Sequence, residues 1–205
     1  MTEMFKVVLL GDTSVGKTSI LQRFAKGQFK KDQDATIGAH FMSKIVELPQ
    51  ANNAQIKLQV WDTAGQEKYR SVTPIYFRDA AAAICVFDIT SKQTLENAEG
   101  WINDLRSYAP NHIIIALAGN KSDLYAQEEV SIQMGKDFAL KHQVEIFQQT
   151  SAKEDTGINE LFLKIATKIE KNKSVILANS SKAVNLNGRE ETGGSDRKKK
   201  KKGCC

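Results

Sequence analysis

The run Gly11-Asp12-Thr13-Ser14-Val15-Gly16-Lys17-Thr18 matches the spacing G-x-x-x-x-G-K-[ST] at every fixed position, and that spacing is the chemistry of a loop wrapped round phosphates. Its glycines let the backbone approach. Successive N–H groups from Asp12, Thr13, Ser14, Val15 and Gly16, with the positive end of the helix that begins at Lys17, attract the negative charge. Lys17 can reach the β- and γ-phosphates, Thr18 offers a hydroxyl to Mg²⁺, and Ser19 carries the loop into the helix. These four fixed positions coincide by chance in roughly one chain of this length in a hundred. A strand before the loop and a helix after it make coincidence rarer still.

Two further groups sit where strands should end. Asn120-Lys121-Ser122-Asp123 can read a base, because a fixed carboxylate such as Asp123 accepts two hydrogen bonds from guanine, at its ring N–H and its exocyclic amine. Adenine lacks that pair of donors. A buried carboxylate left unpaired against adenine can give roughly 10⁴-fold discrimination. Lys121 could lay its stem along the ring, and Ala152, within Ser151-Ala152-Lys153, could lend a backbone N–H to the guanine oxygen. Alone, the four-residue group reads equally as a polar turn; its distance from the phosphate loop and the Ser-Ala-Lys group after it favour base recognition. Asp62-Thr63-Ala64-Gly65-Gln66-Glu67 follows an alternating run at a strand's carboxyl end, where open α/β sheets place their ligands.

These groups need a scaffold that delivers strand ends to one place. Phe5–Leu10 reads as a strand, and Lys17–Lys26 as a helix with Ile20, Leu21 and Phe24 on one face. Residues 27–38 read as an exposed loop. Ala39–Leu48 and Ile56–Trp61, joined by a turn over Pro49–Ala54, predict an antiparallel hairpin. The continuous apolar run Ala80–Phe87 predicts a strand buried on both faces. Leu95–Tyr108 is helical by its spacing, followed by a strand Ile113–Ala118, a helix Ser131–Lys141, a strand Val144–Phe147 and a last helix carrying Ile158, Leu161, Phe162, Ile165 and Ile169. Alternation of this kind predicts an α/β fold with a mostly parallel sheet and helices on both faces. From Lys173 apolar periodicity fades, which predicts a folded domain over 1–172 and a flexible tail over 173–205.

Charge and cysteine content limit the function classes. Six of the 29 basic residues form the run Arg197–Lys202, leaving 23 against 24 acidic ones, so the net charge of +5 belongs to the tail. A neutral body argues against nucleic acid as a partner. Val7–Leu10 is too short for a signal-peptide core and no stretch is long enough for a membrane span, so a cytosolic origin is expected. Thr2 excludes the myristoylation pattern. Cys85 reads as a small buried hydrophobe, and a disulfide framework is not expected.

With these residues in view, the chain resembles a small GTPase of the Ras superfamily, and within it the Rab family. The resemblance spans about residues 5–172 and the terminal cysteine pair. Rab character rests on Ile37-Gly38-Ala39-His40-Phe41, Lys57-Leu58-Gln59-Val60-Trp61-Asp62, Tyr69-Arg70-Ser71-Val72-Thr73 and Cys85-Val86-Phe87-Asp88-Ile89-Thr90. Ala39 and Leu117-Ala118-Gly119-Asn120-Lys121 are most similar to the early-endosomal branch.

The resemblance implies a Ras-like P-loop fold whose six-stranded sheet has one antiparallel strand. It implies Mg²⁺ and GTP or GDP as cofactors, with Thr18 and Thr36 on the metal and Asp62 holding it through a water. Phe29 would stack on the guanine edge. Gly65 would donate its N–H to the γ-phosphate, so that Thr36 and Gly65 tie two loops to a group that hydrolysis removes. Gln66 would orient the attacking water, with Lys17 and Gly65 completing the catalytic set. No motif arginine is placed to stabilise the transition state, so slow intrinsic hydrolysis and dependence on a partner's arginine are expected. Thr13 stands where relatives often carry Ser or Gly, close to the γ-phosphate. Phe77-Arg78-Asp79 replaces a frequent Tyr-Arg-Gly, and the hairpin turn at Pro49–Ala54 is long.

The implied partners are an exchange factor, an activating protein, a GDP dissociation inhibitor, an escort protein and effectors such as tethers, bound by a monomer. Ile37, Phe41, Trp61 and Tyr76 would form the effector surface, although periodicity alone puts Trp61 in the core. His40 reads as a surface histidine or a pH sensor, and His112 and His142 as surface histidines. Arg197–Lys202 before Cys204 and Cys205 resembles a doubly geranylgeranylated tail, since two signals anchor stably where one lipid binds marginally; a nuclear-import run or a solvated tail are the alternatives. The expected location is the cytoplasmic face of early endosomes, with a cytosolic pool. Rival functions are a nucleotide-dependent scaffold without turnover and a nucleoside or nucleotide kinase. The kinase would need a lid with arginines that is not recognisable here.

Overall fold

A computed structural model describes residues 2–31, 33–34, 36, 38–64 and 74–187. Its sheet is built from β1 (Glu3–Leu10), β2 (Ala39–Leu48), β3 (Ala54–Thr63), β4 (Ala80–Asp88), β5 (Ile114–Asn120) and β6 (Ile146–Gln149). The helices are α1 (Lys17–Lys26), α2 (Pro74–Phe77), α3 (Lys92–Tyr108), α4 (Ile132–Lys141) and α5 (Ile158–Asn187). Strand order is β2-β3-β1-β4-β5-β6, with β2 antiparallel to β3 and every other neighbour parallel. The fold is the six-stranded α/β arrangement expected from the sequence.

The period-2 geometry of the strands explains the two cores. Phe5, Val7 and Leu9 of β1, with Ala82, Ile84 and Val86 of β4, face a layer that includes Ile20, Leu21 and Phe24 of α1 and Leu161, Phe162 and Ile165 of α5. Val8 and Leu10, with Ala83, Cys85 and Phe87, face Leu95, Trp101, Ile102 and Leu105 of α3. Both faces of β1 and β4 are covered, which is why these strands read as unbroken apolar runs. The Cys85 thiol, wholly buried, is pushed up to about 12 and sits as a free, unreactive hydrophobe.

Three differences from the sequence reading have physical causes. The long hairpin turn contains a 3₁₀ turn, Pro49–Ala51, that leaves through left-handed Asn52 and Asn53. His142 is buried at the end of α4, where its ring meets Phe138 and its carbonyl accepts from Arg106, and burial lowers its pKa. α5 continues through residues 173–187, where a flexible linker was expected. Ile176 keeps the apolar stripe begun by Ile165 and Ile169 and is 3% exposed, while Lys173 pairs with Glu3 and Asn179 meets His112 at 3.2 Å. Fading of the stripe on other faces hid this docked turn in the sequence. Arg197–Lys202, Cys204 and Cys205, the residues expected to anchor the tail, lie outside the described residues. No described helix is long and apolar enough to cross a membrane.

Candidate functional site

The carboxyl ends of β1, β3 and β5 open on one side of the sheet, and there the loops enclose a cleft of about 690 Å³. Its volume suits a mononucleotide-sized ligand. Thr13, Ser14, Gly16, Lys17, Thr18 and Ser19 line one end; Asn120, Lys121, Asp123, Ala152 and Lys153 line the other; Phe29 and Thr36 contribute from the loop after α1. Of the sequence-predicted binding residues with described positions, Asp12, Val15, Asp62 and Ser151 are the ones set behind this lining.

The phosphate loop keeps a shape that only particular residues permit. Gly11 has φ +137°, and a Cβ there would lie 2.2 Å from the Val86 carbonyl oxygen; at Gly16, φ +96°, it would lie 2.3 Å from Asn120 Nδ2. Neither space admits a side chain. Ser14 takes a left-handed conformation, φ +65°, in between. Val15 is buried and offers its carbonyl to Asn120 Nδ2 at 2.9 Å. Lys17, 5% exposed, donates to the carbonyls of Gly11 at 2.9 Å and Asp12 at 2.7 Å. Desolvation lowers its pKa to about 8, against the pull of Asp62 and Asp12. A buried ammonium resting on loop carbonyls is poised to donate to anionic oxygens.

The second group surrounds Asp62, whose side chain is wholly buried at the end of β3. Its Oδ2 accepts from Thr18 Oγ1 at 2.6 Å and from Thr36 Oγ1 at 3.2 Å, and the two hydroxyls are 2.9 Å apart. His40, opposite Asp62 in the β2–β3 register, brings Nδ1 to 3.8 Å of the same oxygen. Among the described residues Asp62 Oδ1 is buried without a hydrogen-bond partner, and desolvation raises the carboxyl's pKa against those two hydroxyls, Lys17 and His40. One orphaned carboxylate oxygen and two hydroxyls form a hard, oxygen-only donor set, which fits Mg²⁺ held jointly with substrate phosphates. Among the described residues no group of three or more His, Cys, Asp or Glu could hold a metal by itself. Gly65, Gln66 and Ile37 lie outside the described residues.

The third group is a base pocket fixed by hydrogen bonds. Asn120 holds Val15 on one side and accepts from Thr150 Oγ1 at 3.2 Å on the other. Asp123 accepts from Ser151 Oγ at 2.6 Å, and Lys153 Nζ is 3.7 Å from its other oxygen. Lys121, left-handed at φ +67°, pairs Nζ with Asp88 Oδ2 at 2.5 Å. Asp88 is itself held by the N–H and hydroxyl of Thr90.

Sequence reasoning missed one residue that joins these parts. Arg23 of α1 donates from Nε to the Ala152 carbonyl at 2.7 Å and from a terminal nitrogen to the Lys153 carbonyl at 2.9 Å. The apolar spacing of α1 marks Ile20, Leu21 and Phe24 and says nothing of Arg23, whose partners lie about 130 positions away. Asn120 had a base-reading role in the sequence; its hold on the phosphate loop emerges only when β5 lies beside that loop.

At the surface beyond Asp62, Phe41 is 50% exposed and stacks on Trp61 with ring centroids 4.9 Å apart. Tyr76 lies 6.3 Å from Trp61, and Lys6 Nζ sits 4.9 Å over the indole. Trp61 is half-buried: one side packs on the α3 core and the other meets Phe41, so the core and surface readings each describe part of it.

This arrangement, a phosphate loop at a sheet's topological switch point beside a fixed carboxylate pocket, defines a P-loop nucleotide-binding protein. A sequence model of the Ras family matches residues 6–171, and the chain belongs to that family of small GTPases. Membership brings guanine-nucleotide binding with Mg²⁺, GTPase activity, and regulation by exchange factors, activating proteins and effectors as general properties of the class.

Proposed function

We propose that this protein is a Rab-type switch that hydrolyses GTP to GDP and phosphate and, in its GTP form, recruits tethering effectors to an endosomal membrane. The observation that carries the reading is the adjacency of the two sites across the β2–β3 register. Phe41 pairs with Trp61, and His40 pairs with Asp62, one residue further along. An exposed aromatic surface therefore shares its backbone with the carboxylate that would hold Mg²⁺ beside the phosphates. The Ala64 N–H donates to the Gly38 carbonyl at 3.0 Å, tying the loop before β2 to the segment after β3. A change at the phosphates can reach the aromatic surface through these contacts.

Thr18 and Thr36 would hold Mg²⁺, with Asp62 acting through a water, and the ion supplies charge neutralisation at the phosphate oxygens. Lys17 would bind the β- and γ-phosphates, Gly65 would donate to the γ-phosphate, and Gln66 would orient the attacking water. Asp123 would select guanine, with Lys121 along its face and Phe29 at its edge. Residues 188–205 would carry the membrane anchor at Cys204 and Cys205, the substrate of escort protein and geranylgeranyl transfer, and a GDP dissociation inhibitor would maintain the cytosolic pool.

Single-turnover phosphate release from Mg²⁺-GTP, with ATP as control, tests the catalytic assignment. Slow release from GTP alone, lost in Gln66→Leu, is the expected result. Equal release from both proteins would remove Gln66 from the mechanism. Silence in both would favour a scaffold without turnover, and brisk ATP turnover would overturn the base assignment.

A further inference from the structure

Asp12 is an acid in a loop that must receive phosphate, and its charge is turned away from the cleft. Its Oδ2 accepts from Asn97 Nδ2 at 2.7 Å and its Oδ1 from Trp101 Nε1 at 3.2 Å. The carbonyl of the same residue accepts from Lys17 Nζ at 2.7 Å. Asn97 and Trp101 stand four apart on α3, so one helix face delivers both donors. Trp101 is 4% exposed and anchored in the α3 core, which fixes the position from which its N–H points.

We propose that Asn97 and Trp101 are positioning residues for the phosphate loop. By holding the Asp12 carboxylate they fix the carbonyl on which Lys17 rests and keep the acid's charge off the bound phosphates. Their effect falls on nucleotide retention. The proposal rests on the nucleotide reading of the cleft, and goes beyond it by giving α3, on the opposite face of the sheet from α1, a part in binding.

The geometry separates the two donors' roles. Asn97 is exposed, so its loss leaves the core intact. Trp101→Phe keeps an aromatic ring in the core and removes the N–H together with part of the ring volume, so Asn97→Ala and the exchanged pair carry the test of the hydrogen bond itself. A hydrogen bond to a charged acceptor is strong enough that losing one, acting indirectly through the loop, should accelerate nucleotide release by about 3- to 30-fold.

The test is release of a fluorescent GDP analogue from the loaded full-length protein, chased with excess GDP, in Asn97→Ala, Trp101→Phe, Asn97→Asp and the exchanged pair D12N/N97D. Faster release is expected in the first two, and faster still in Asn97→Asp, where two carboxylates face each other. The exchanged pair restores the hydrogen bond with its direction reversed, and should return release to within about threefold of wild type. Damage to packing alone would not be reversed in this way. If Trp101→Phe fails to fold, Asn97→Ala at its exposed position still decides the matter. Wild-type retention with unchanged release in Asn97→Ala, or an exchanged pair as fast as Asn97→Asp, would overturn the positioning role. Failure of the wild type to retain guanine nucleotide would overturn both this role and the nucleotide reading, and is recognised in the wild type before any variant is compared.

Discussion

Lys17 is buried on two backbone carbonyls with its pKa lowered to about 8, so its charge is held against desolvation until an anion arrives. Bound polyphosphate favours the protonated amine. Below about pH 8 the ligand-free lysine already carries that proton; above it, binding must take one up, so affinity should fall as pH rises, at most about tenfold per unit. GDP affinity measured from pH 7 to 9.5 should therefore drop in wild type. Lys17→Met should bind weakly with a flatter profile. The same shift has a sign in stability: between about pH 8 and the ordinary lysine value of 10.5 the unfolded chain binds more protons, so Lys17 destabilises the ligand-free fold less as pH climbs through that window. Asp62 presents the converse case, a buried carboxylate with one oxygen unpaired among the described residues. Asp62→Asn should stabilise the ligand-free protein by about 1 to 2 kcal/mol in chemical denaturation, because it removes a buried charge. It should also make GDP release insensitive to metal removal. Chelation, by contrast, should accelerate release from wild type.

The elements are cross-tied where the sequence showed only separate motifs. Gly16 and Asn120 illustrate the limit: the motif spacing indicated a glycine and an amide, and the 2.3 Å that a Cβ would leave between them appears only when β5 lies beside the phosphate loop. Periodicity placed all six strands, three of the five helices and the start of α5 to within a few residues, because each core layer draws alternate residues from the same strands. The four-residue α2 had too few positions to show a period. Arg23 was illegible for a related reason, since its acceptors are backbone carbonyls that carry no side-chain signature. The α5 extension was illegible because Ile176 is the one buried residue among its described side chains, and the contacts of Lys173 with Glu3 and Asn179 with His112 are polar. Ile176→Ala should cost about 2 to 4 kcal/mol in denaturant-induced unfolding if the extension is packed as a core element. Lys173→Ala should cost less than about 1 kcal/mol, because its pairing with Glu3 is partly solvated.

Across the described residues, the cleft and the α5 extension lie at opposite ends of the sheet. The cleft is built at the carboxyl ends of β1, β3 and β5, whereas the α5 extension touches Glu3 at the start of β1 and His112 just before β5. A membrane anchor attached beyond residue 187 would therefore pull on the pole away from Lys17, Asp62 and Asp123. Its loss should separate location from chemistry. The body is close to neutral and the run Arg197–Lys202 holds the excess positive charge, so attachment should need both lipid and charge. Converting Cys204 and Cys205 to Ser should move the protein from membrane to soluble fractions in cells, while GDP release in solution stays within about twofold of wild type. Neutralising the basic run with both cysteines intact should weaken attachment to anionic vesicles by about 1 kcal/mol per charge at most, and less at high salt. Flotation of the prenylated protein with anionic and neutral vesicles measures both effects. The protein with Cys204 and Cys205 both converted to Ser still floating with neutral vesicles would place the anchor elsewhere in the chain.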